Sequence, residues 1–326
     1  MIFGVFTLLL VLIPARCANS KTIEMKTDFN FKGMMVPVFT PFNNDAKRTI
    51  NYDVIDKYCQ YLKSKGMHGV FVNSMTGEGL TLTVEERKKL SEKWFVECSK
   101  YELKVVVNIG GLPLPYVYEL AEHAEKIKID AVMIIPDMYH KPKTAENLVY
   151  YLKDVKNYMP TRPIFYYHIP KTTGVENINW YGFLQLMKKE VSTFAGLFWA
   201  VDHIDQAIHL KEKMPEYNYI IAMGSSIMGY MAEGFEAISM TVMNLYPELV
   251  KEVYDNMTQY KMQEAYDARE KLYKTIYDLF AKENCMDDIY TMKKEMDKLY
   301  PFKMGPVRKP NTCSIESSHI QWQPYH

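Results

Sequence analysis

Ile164-Phe165-Tyr166-Tyr167-His168-Ile169-Pro170 is the stretch whose reading decides the fold of this chain. Four β-favouring residues follow one another without polar alternation, and a proline closes the segment. A short, continuous apolar run suits a parallel strand buried on both faces. Working outward, seven further runs share this character: Met34–Phe42, Gly69–Asn73, Val105–Ile109, Ala131–Ile135, Thr193–Ala200, Tyr219–Met223 and Ala237–Met243. With Ile164–Tyr167 they recur at intervals of about 25 to 35 residues, the span of one strand plus one crossover helix.

Amphipathic stretches lie between them. Ile55, Cys59 and Leu62 form one apolar stripe, and Leu90, Trp94 and Cys98 form a second, opened by the capping box Thr83-x-x-Glu86. Leu120, Ala124 and Ile127 make a third, and Leu148, Leu152 and Val155 a fourth. Eight β/α repeats without a break in composition predict a single (β/α)8 barrel, with an open doubly wound sheet as the alternative that periodicity leaves standing. After the eighth unit the pattern turns wholly helical, over Glu264–Lys282 and Met286–Leu299, and residues 311–326 read as a loose polar tail.

The chain has 326 residues, 48% hydrophobic and 24% charged, enough for one large core. A formal net charge of zero gives no reason to expect nucleic acid as a partner. Ile2 to Ile13 is an almost uninterrupted apolar run, too short to span a bilayer but matched to a signal-peptide core. Ala15 and Cys17, with Ala18 close by, provide small residues for cleavage, so residues 1–18 are expected to be a signal peptide. The mature protein is then expected to be secreted and free of the membrane. Cys59, Cys98, Cys285 and Cys313 would remain, permitting three disulfide pairings. Cys59 and Cys98 sit on the stripes of consecutive helices and could be bridged, or could be buried small hydrophobes. Asn256-Met257-Thr258 is a glycosylation sequon.

Three groups of residues carry a resemblance covering roughly 31–310. They are Thr76-Gly77-Glu78-Gly79-Leu80 followed by Glu85-Glu86-Arg87, then Tyr167-His168-Ile169-Pro170-x-x-x-Gly174-Val175, and Met304-Gly305-Pro306-Val307-Arg308-Lys309-Pro310. The chain resembles the dihydrodipicolinate synthase / N-acetylneuraminate lyase family of pyruvate aldolases, and Tyr-His-Ile-Pro before T-G-V is closer to the animal N-acetylneuraminate lyases (sialic acid aldolases). The resemblance implies a TIM barrel with a C-terminal helical appendage, a homotetramer, and a small 2-oxo acid or sugar as ligand. No cofactor is implied, and no paired His, Cys or acid spacing suggests a metal site.

In that family the sixth strand carries, in a pattern close to G-L-K, the lysine that forms a Schiff base with pyruvate. The resulting iminium takes up electrons while a carbon–carbon bond breaks or forms. Here Gly196-Leu197 is followed by Phe198, expected to pack the barrel interior. Tyr167 matches the family's proton-shuttling tyrosine and is either its remnant or a hydrogen-bonded core residue. The family's carboxylate loop, G-[ST]-T-G-E, reads Ser74-Met75-Thr76-Gly77-Glu78: Met75 replaces the first hydroxyl, while Thr76 and the glycine turn leave a weakened anion cradle. Glu78 and Gly79 are read as loop architecture.

The sugar-recognising G-x-D-E after strand seven is Gly224-Ser225-Ser226-Ile227, which lacks both acids. In strand eight, G-S-T-Y-N becomes Met240-Thr241-Val242-Met243-Asn244, in which Thr241 keeps one hydroxyl. Met75, Thr76, Gly224, Ser226 and Thr241 are thus the candidate substrate contacts. A site built to hydrogen-bond a polyol loses orders of magnitude in discrimination with its partners. Lys171, after strand five, is the amine that could substitute, if burial or a neighbouring cation freed it of its proton. The leading expectation is a secreted, catalytically degenerate lyase homologue. The alternatives are an active aldolase using Lys171 with Tyr167, and an interaction protein using the outer helices.

Overall fold

In the computed structural model, which describes residues 27, 29–283 and 288–311, all eight runs become strands. These are β1 (Gly33–Pro37), β2 (Gly69–Val72), β3 (Lys104–Asn108), β4 (Ala131–Ile134), β5 (Ile164–His168), β6 (Phe194–Trp199), β7 (Asn218–Ile221) and β8 (Ala237–Ser239). Each pairs in parallel with the next and β8 returns to β1, so the barrel is closed and the open-sheet alternative falls away. Around it run α1 (Ile55–Ser64), α2 (Val84–Ser99), α3 (Leu114–Ile127), α4 (Ala145–Tyr158), α5 (Pro170–Thr173), α6 (Trp180–Glu190), α7 (Ile204–Lys213), α8 (Ile227–Ala232) and α9 (Pro247–Thr258). The appendage is α10 (Met262–Glu283) and α11 (Asp288–Leu299).

Local chemistry explains the boundaries. Thr83 and Glu86 cap α2 reciprocally: the Glu86 N–H donates to Thr83 Oγ1 at 3.2 Å and the Thr83 N–H to Glu86 Oε2 at 2.9 Å. The eighth run stops being a strand at Ser239, because Thr241–Asn244 turns into a 3₁₀ segment that carries the chain toward α9. The Asn244 amide ties that turn to the Pro37 carbonyl at 2.9 Å.

Two apolar layers result. Outward residues such as Tyr166, Leu197 and Trp199 pack against the helices, while Phe71, Met133, Phe165, Tyr167, Ala195 and Phe198 fill the interior. Strand β6 departs from strict alternation. Ile164 pairs with Phe194 but Phe165 pairs with Gly196, so one extra residue is accommodated as a bulge. Gly196 has φ +152°, and a Cβ there would collide with the Asn218 carbonyl. Because of the bulge, Phe198 rather than Leu197 follows Ala195 into the interior.

Cys59 of α1 and Cys98 of α2 form a disulfide with Cα atoms 5.3 Å apart. A bridge spanning 39 residues typically contributes roughly 2–4 kcal/mol. The expected signal peptide at 1–18, Cys285, Cys313 and the tail beyond 311 lie outside the described residues. Asn256 lies half-buried in the last turn of α9.

Candidate active site

The strand C-termini open on the face where barrels of this architecture keep their chemistry. Tyr167 and Phe198 are register partners on β5 and β6. Their rings meet edge to face at 4.8 Å, and Phe71 of β2 reaches across to both, 5.4 Å from Tyr167 and 5.3 Å from Phe198. Three aromatic rings therefore occupy the space below the mouth. Phe198 is 2% exposed and Tyr167 7%. Among the described residues the Tyr167 hydroxyl has no hydrogen-bond partner, and burial alone pushes the phenol's pKa up. Tyr167 is thus buried among apolar rings without the hydrogen bond expected of a core tyrosine. Ser239, which follows the inward-facing Ala237 by two residues on β8, has a buried hydroxyl without a partner among the described residues. It was invisible in a run that read as uniformly apolar.

The candidate substrate contacts are mostly engaged with the protein itself. Thr76 Oγ1 lies 3.0 Å from Thr241 Oγ1, so two hydroxyls from the segments after β2 and β8, on either side of β1, satisfy each other. Thr76 is buried, while Met75 is 58% exposed, with its sulfur 3.8 Å from the Thr172 hydroxyl. The Gly224 carbonyl accepts the Tyr273 hydroxyl of α10. Ser226 donates to Asp202 Oδ1 at 2.7 Å. Asp202 is a carboxylate at the mouth that sequence reasoning missed, since it stands just past the aligned positions of β6.

Lys171 is exposed on α5, and Lys141 is exposed with its amine against Gly174. Among the described residues Lys293 of α11 is the buried lysine, and it too was missed. Its amine donates to the Thr40 carbonyl at 2.9 Å, Glu78 Oε1 at 3.0 Å and the Pro306 carbonyl at 3.0 Å. Burial draws its pKa down despite the adjacent Glu78 carboxylate. An ammonium has three donors, and all three are spent, so Lys293 is held away from any carbonyl substrate.

Glu78 accordingly serves architecture, as its sequence position suggested. Its second carboxylate oxygen accepts the Arg308 backbone N–H at 2.8 Å. The Arg308 guanidinium grips Glu86 through two hydrogen bonds, at 2.9 and 2.6 Å. Arg87 is fully buried and donates to the Asn108 and Gly110 carbonyls at the end of β3. The T-G-E-G, E-E-R and M-G-P-x-R-x-P motifs thus meet in one network that fastens the C-terminal tail to the barrel rim. His168 points the other way, into the outer layer, with ring centroids 4.1 Å from Trp180 and 4.7 Å from Trp199. Burial pushes its pKa down to about 3.

This closed parallel barrel, with its helical appendage and motif-bound rim, belongs to the dihydrodipicolinate synthetase family, whose model matches residues 30–319. The chain is 30% identical over 291 residues to N-acetylneuraminate lyase A of Xenopus laevis, covering 88% of this chain and 93% of that one. It is 36% identical over 167 residues to the N-acetylneuraminate lyase of Homo sapiens, about half of each chain (51%). The fold superposes on the Proteus mirabilis N-acetylneuraminate lyase with a TM-score of 0.80 at 25% identity, covering 88% and 95% of the two chains. Within the family it is N-acetylneuraminate lyase-like.

Proposed function

We propose that this protein is a catalytically degenerate N-acetylneuraminate lyase homologue, a barrel that has kept the family scaffold without its covalent step. One observation carries the reading. The β6 bulge aims Phe198 into the interior, where it packs on Tyr167 and Phe71 in place of an amine. Without a nitrogen to condense with a ketone there is no iminium, and no other group beside Tyr167 can serve as an electron sink. The Thr76–Thr241 contact adds to this, because a carboxylate would have to break it to be held there.

Incubation with pyruvate and borohydride, followed by intact mass, tests the proposal. The expected result is an unmodified chain together with no release of pyruvate from N-acetylneuraminate. A trapped adduct would overturn it, and one mapped to Lys171 would establish the relocated amine instead.

We also propose that the mature protein is secreted. The apolar run Ile2 to Ile13 and the Cys59–Cys98 bridge support this, since disulfides persist in oxidising compartments. N-terminal sequencing of protein from culture medium should then begin after Cys17 or Ala18. A homotetramer is the assembly the family resemblance favours, and light scattering on the purified chain would reveal any other state.

A further inference from the structure

The N-terminal end of the barrel, opposite the mouth, holds an open depression of about 610 Å³ that the reading above leaves unused. Its charged lining comes from residues that each precede or begin a strand. Lys32 stands before β1, Lys104 starts β3, Lys128 and Asp130 lead into β4, and Arg162 leads into β5. Phe29 and Phe31 give it an apolar side, and Phe29 lies edge-on to Phe165 of the barrel interior at 5.7 Å.

Among the described lining residues four cations face one carboxylate, with Glu236 and Glu125 at the edge. Lys104 pairs with Asp130 at 3.0 Å, and Lys32 pairs with Glu236 at 2.7 Å while both side chains stay largely exposed. Among the described residues no carboxylate lies within ion-pair distance of Lys128 or Arg162. Arg162 gives its donors to the Ile129 carbonyl at 3.3 Å and the Thr161 hydroxyl at 3.0 and 3.2 Å. Glu125, the acid beside it, is engaged by the Thr161 backbone at 3.0 Å and by its hydroxyl. Among the described residues this leaves a small excess of positive charge, centred on Lys128 and Arg162, around a concave surface.

We propose that this depression binds a small oxyanion ester, a phosphate or sulfate carrying an apolar body. Lys128 and Arg162 supply the charge-assisted donors, and the phenyl rings of Phe29 and Phe31 supply the apolar contact. The site uses no residue of the mouth and stands or falls independently of the proposal above.

Calorimetric titration of the full chain at physiological salt tests it, with phenyl phosphate and phenyl sulfate as probes and inorganic phosphate for comparison. One saturable site is expected, tighter for the phenyl esters than for inorganic phosphate, and the two esters tell which oxyanion is preferred. Lys128→Asn removes the charge at a position with φ +57° that asparagine tolerates, and should weaken binding about tenfold. Asp130→Asn keeps an acceptor for the Val105 N–H while removing the competing charge, and should tighten binding severalfold. Failure of both esters to saturate the wild-type chain overturns the proposal. So does an affinity unchanged in both variants, or in Asp130→Asn alone should Lys128→Asn not fold.

Discussion

Around Glu78 nearly every charge has a partner, whereas in the barrel interior the hydroxyls of Tyr167 and Ser239 have none among the described residues. The rim network joins Glu78, Lys293, Glu86 and Arg308 through one buried ion pair, one partly buried ion pair and backbone contacts. A few residues away, the interior offers Phe71, Phe198 and a phenol without a hydrogen bond. Both regions belong to the same end of the barrel. The difference separates two kinds of constraint: residues that hold the tail to the barrel are needed whenever the fold forms, while residues that handle a substrate are needed only when chemistry is done.

The sharpest way to break this comparison is to place an amine at position 198. Phe198→Lys places an amine beside Tyr167 in an apolar interior that disfavours its charged form, the condition for attack on a carbonyl. A borohydride-trapped pyruvate adduct is expected in the variant and absent from the wild type. If the variant also fails to trap pyruvate while remaining folded, the closed Thr76–Thr241 contact is the barrier rather than the lost nitrogen.

The rim should respond in stability instead. Lys293→Met leaves the Glu78 carboxylate buried without its ion-pair partner, held by the Arg308 N–H and the Asn311 amide, at a cost of about 3–5 kcal/mol in chemical denaturation. Phe198→Ala should cost a similar amount, about 3–5 kcal/mol, through the cavity it opens. Adding Glu78→Gln to Lys293→Met should recover part of the loss, whereas adding it to Phe198→Ala should not.

A smaller effect is expected with pH. Buried His168 has its pKa pushed down to about 3, against about 6.5 when unfolded. Between those values the unfolded chain binds the extra proton, so this residue's contribution to stability is present above pH ~6.5 and is lost as pH falls toward ~3, at up to ~1.4 kcal/mol per unit. Comparing denaturation of the wild type and His168→Phe across that window isolates the contribution. Identical slopes would mean that the ring titrates as it does in water.

The smallest change is expected at Tyr167. Tyr167→Phe deletes a hydroxyl that loses no protein partner, so stability should shift by less than about 1 kcal/mol. A penalty of twice that would indicate a role for the phenol that the aromatic packing does not explain.

Much of the architecture was legible because its physics is periodic. Strands buried on both faces write themselves as apolar runs, and the stripe at Leu90, Trp94 and Cys98 lies buried where a helix of period 3.6 puts it. The absence of lysine at 198 could be read as soon as the family motif was aligned. The eighth run extends past its strand because Val242 and Met243 are apolar and buried, although the backbone there turns. Lys293 gave no signal, since a lysine in an amphipathic helix reads as a solvated face.

By itself, the amino-acid order determined the repeating strand-and-helix units, the family motifs and the presence of Phe198 at the strand-six position, all of which depend on local spacing or residue identity. Only the tertiary structure decided that the barrel closes, that Cys59 meets Cys98, that Thr76 and Thr241 satisfy each other, and that Lys293 is buried against Glu78. Each of these joins residues far apart in the chain, and spacing along a sequence carries no record of which distant side chains will share one low-dielectric space. The Ala195-Gly196 bulge shows the limit most plainly: one inserted residue turned Phe198 inward, and its geometry comes from pairing with two neighbouring strands rather than from β6 alone.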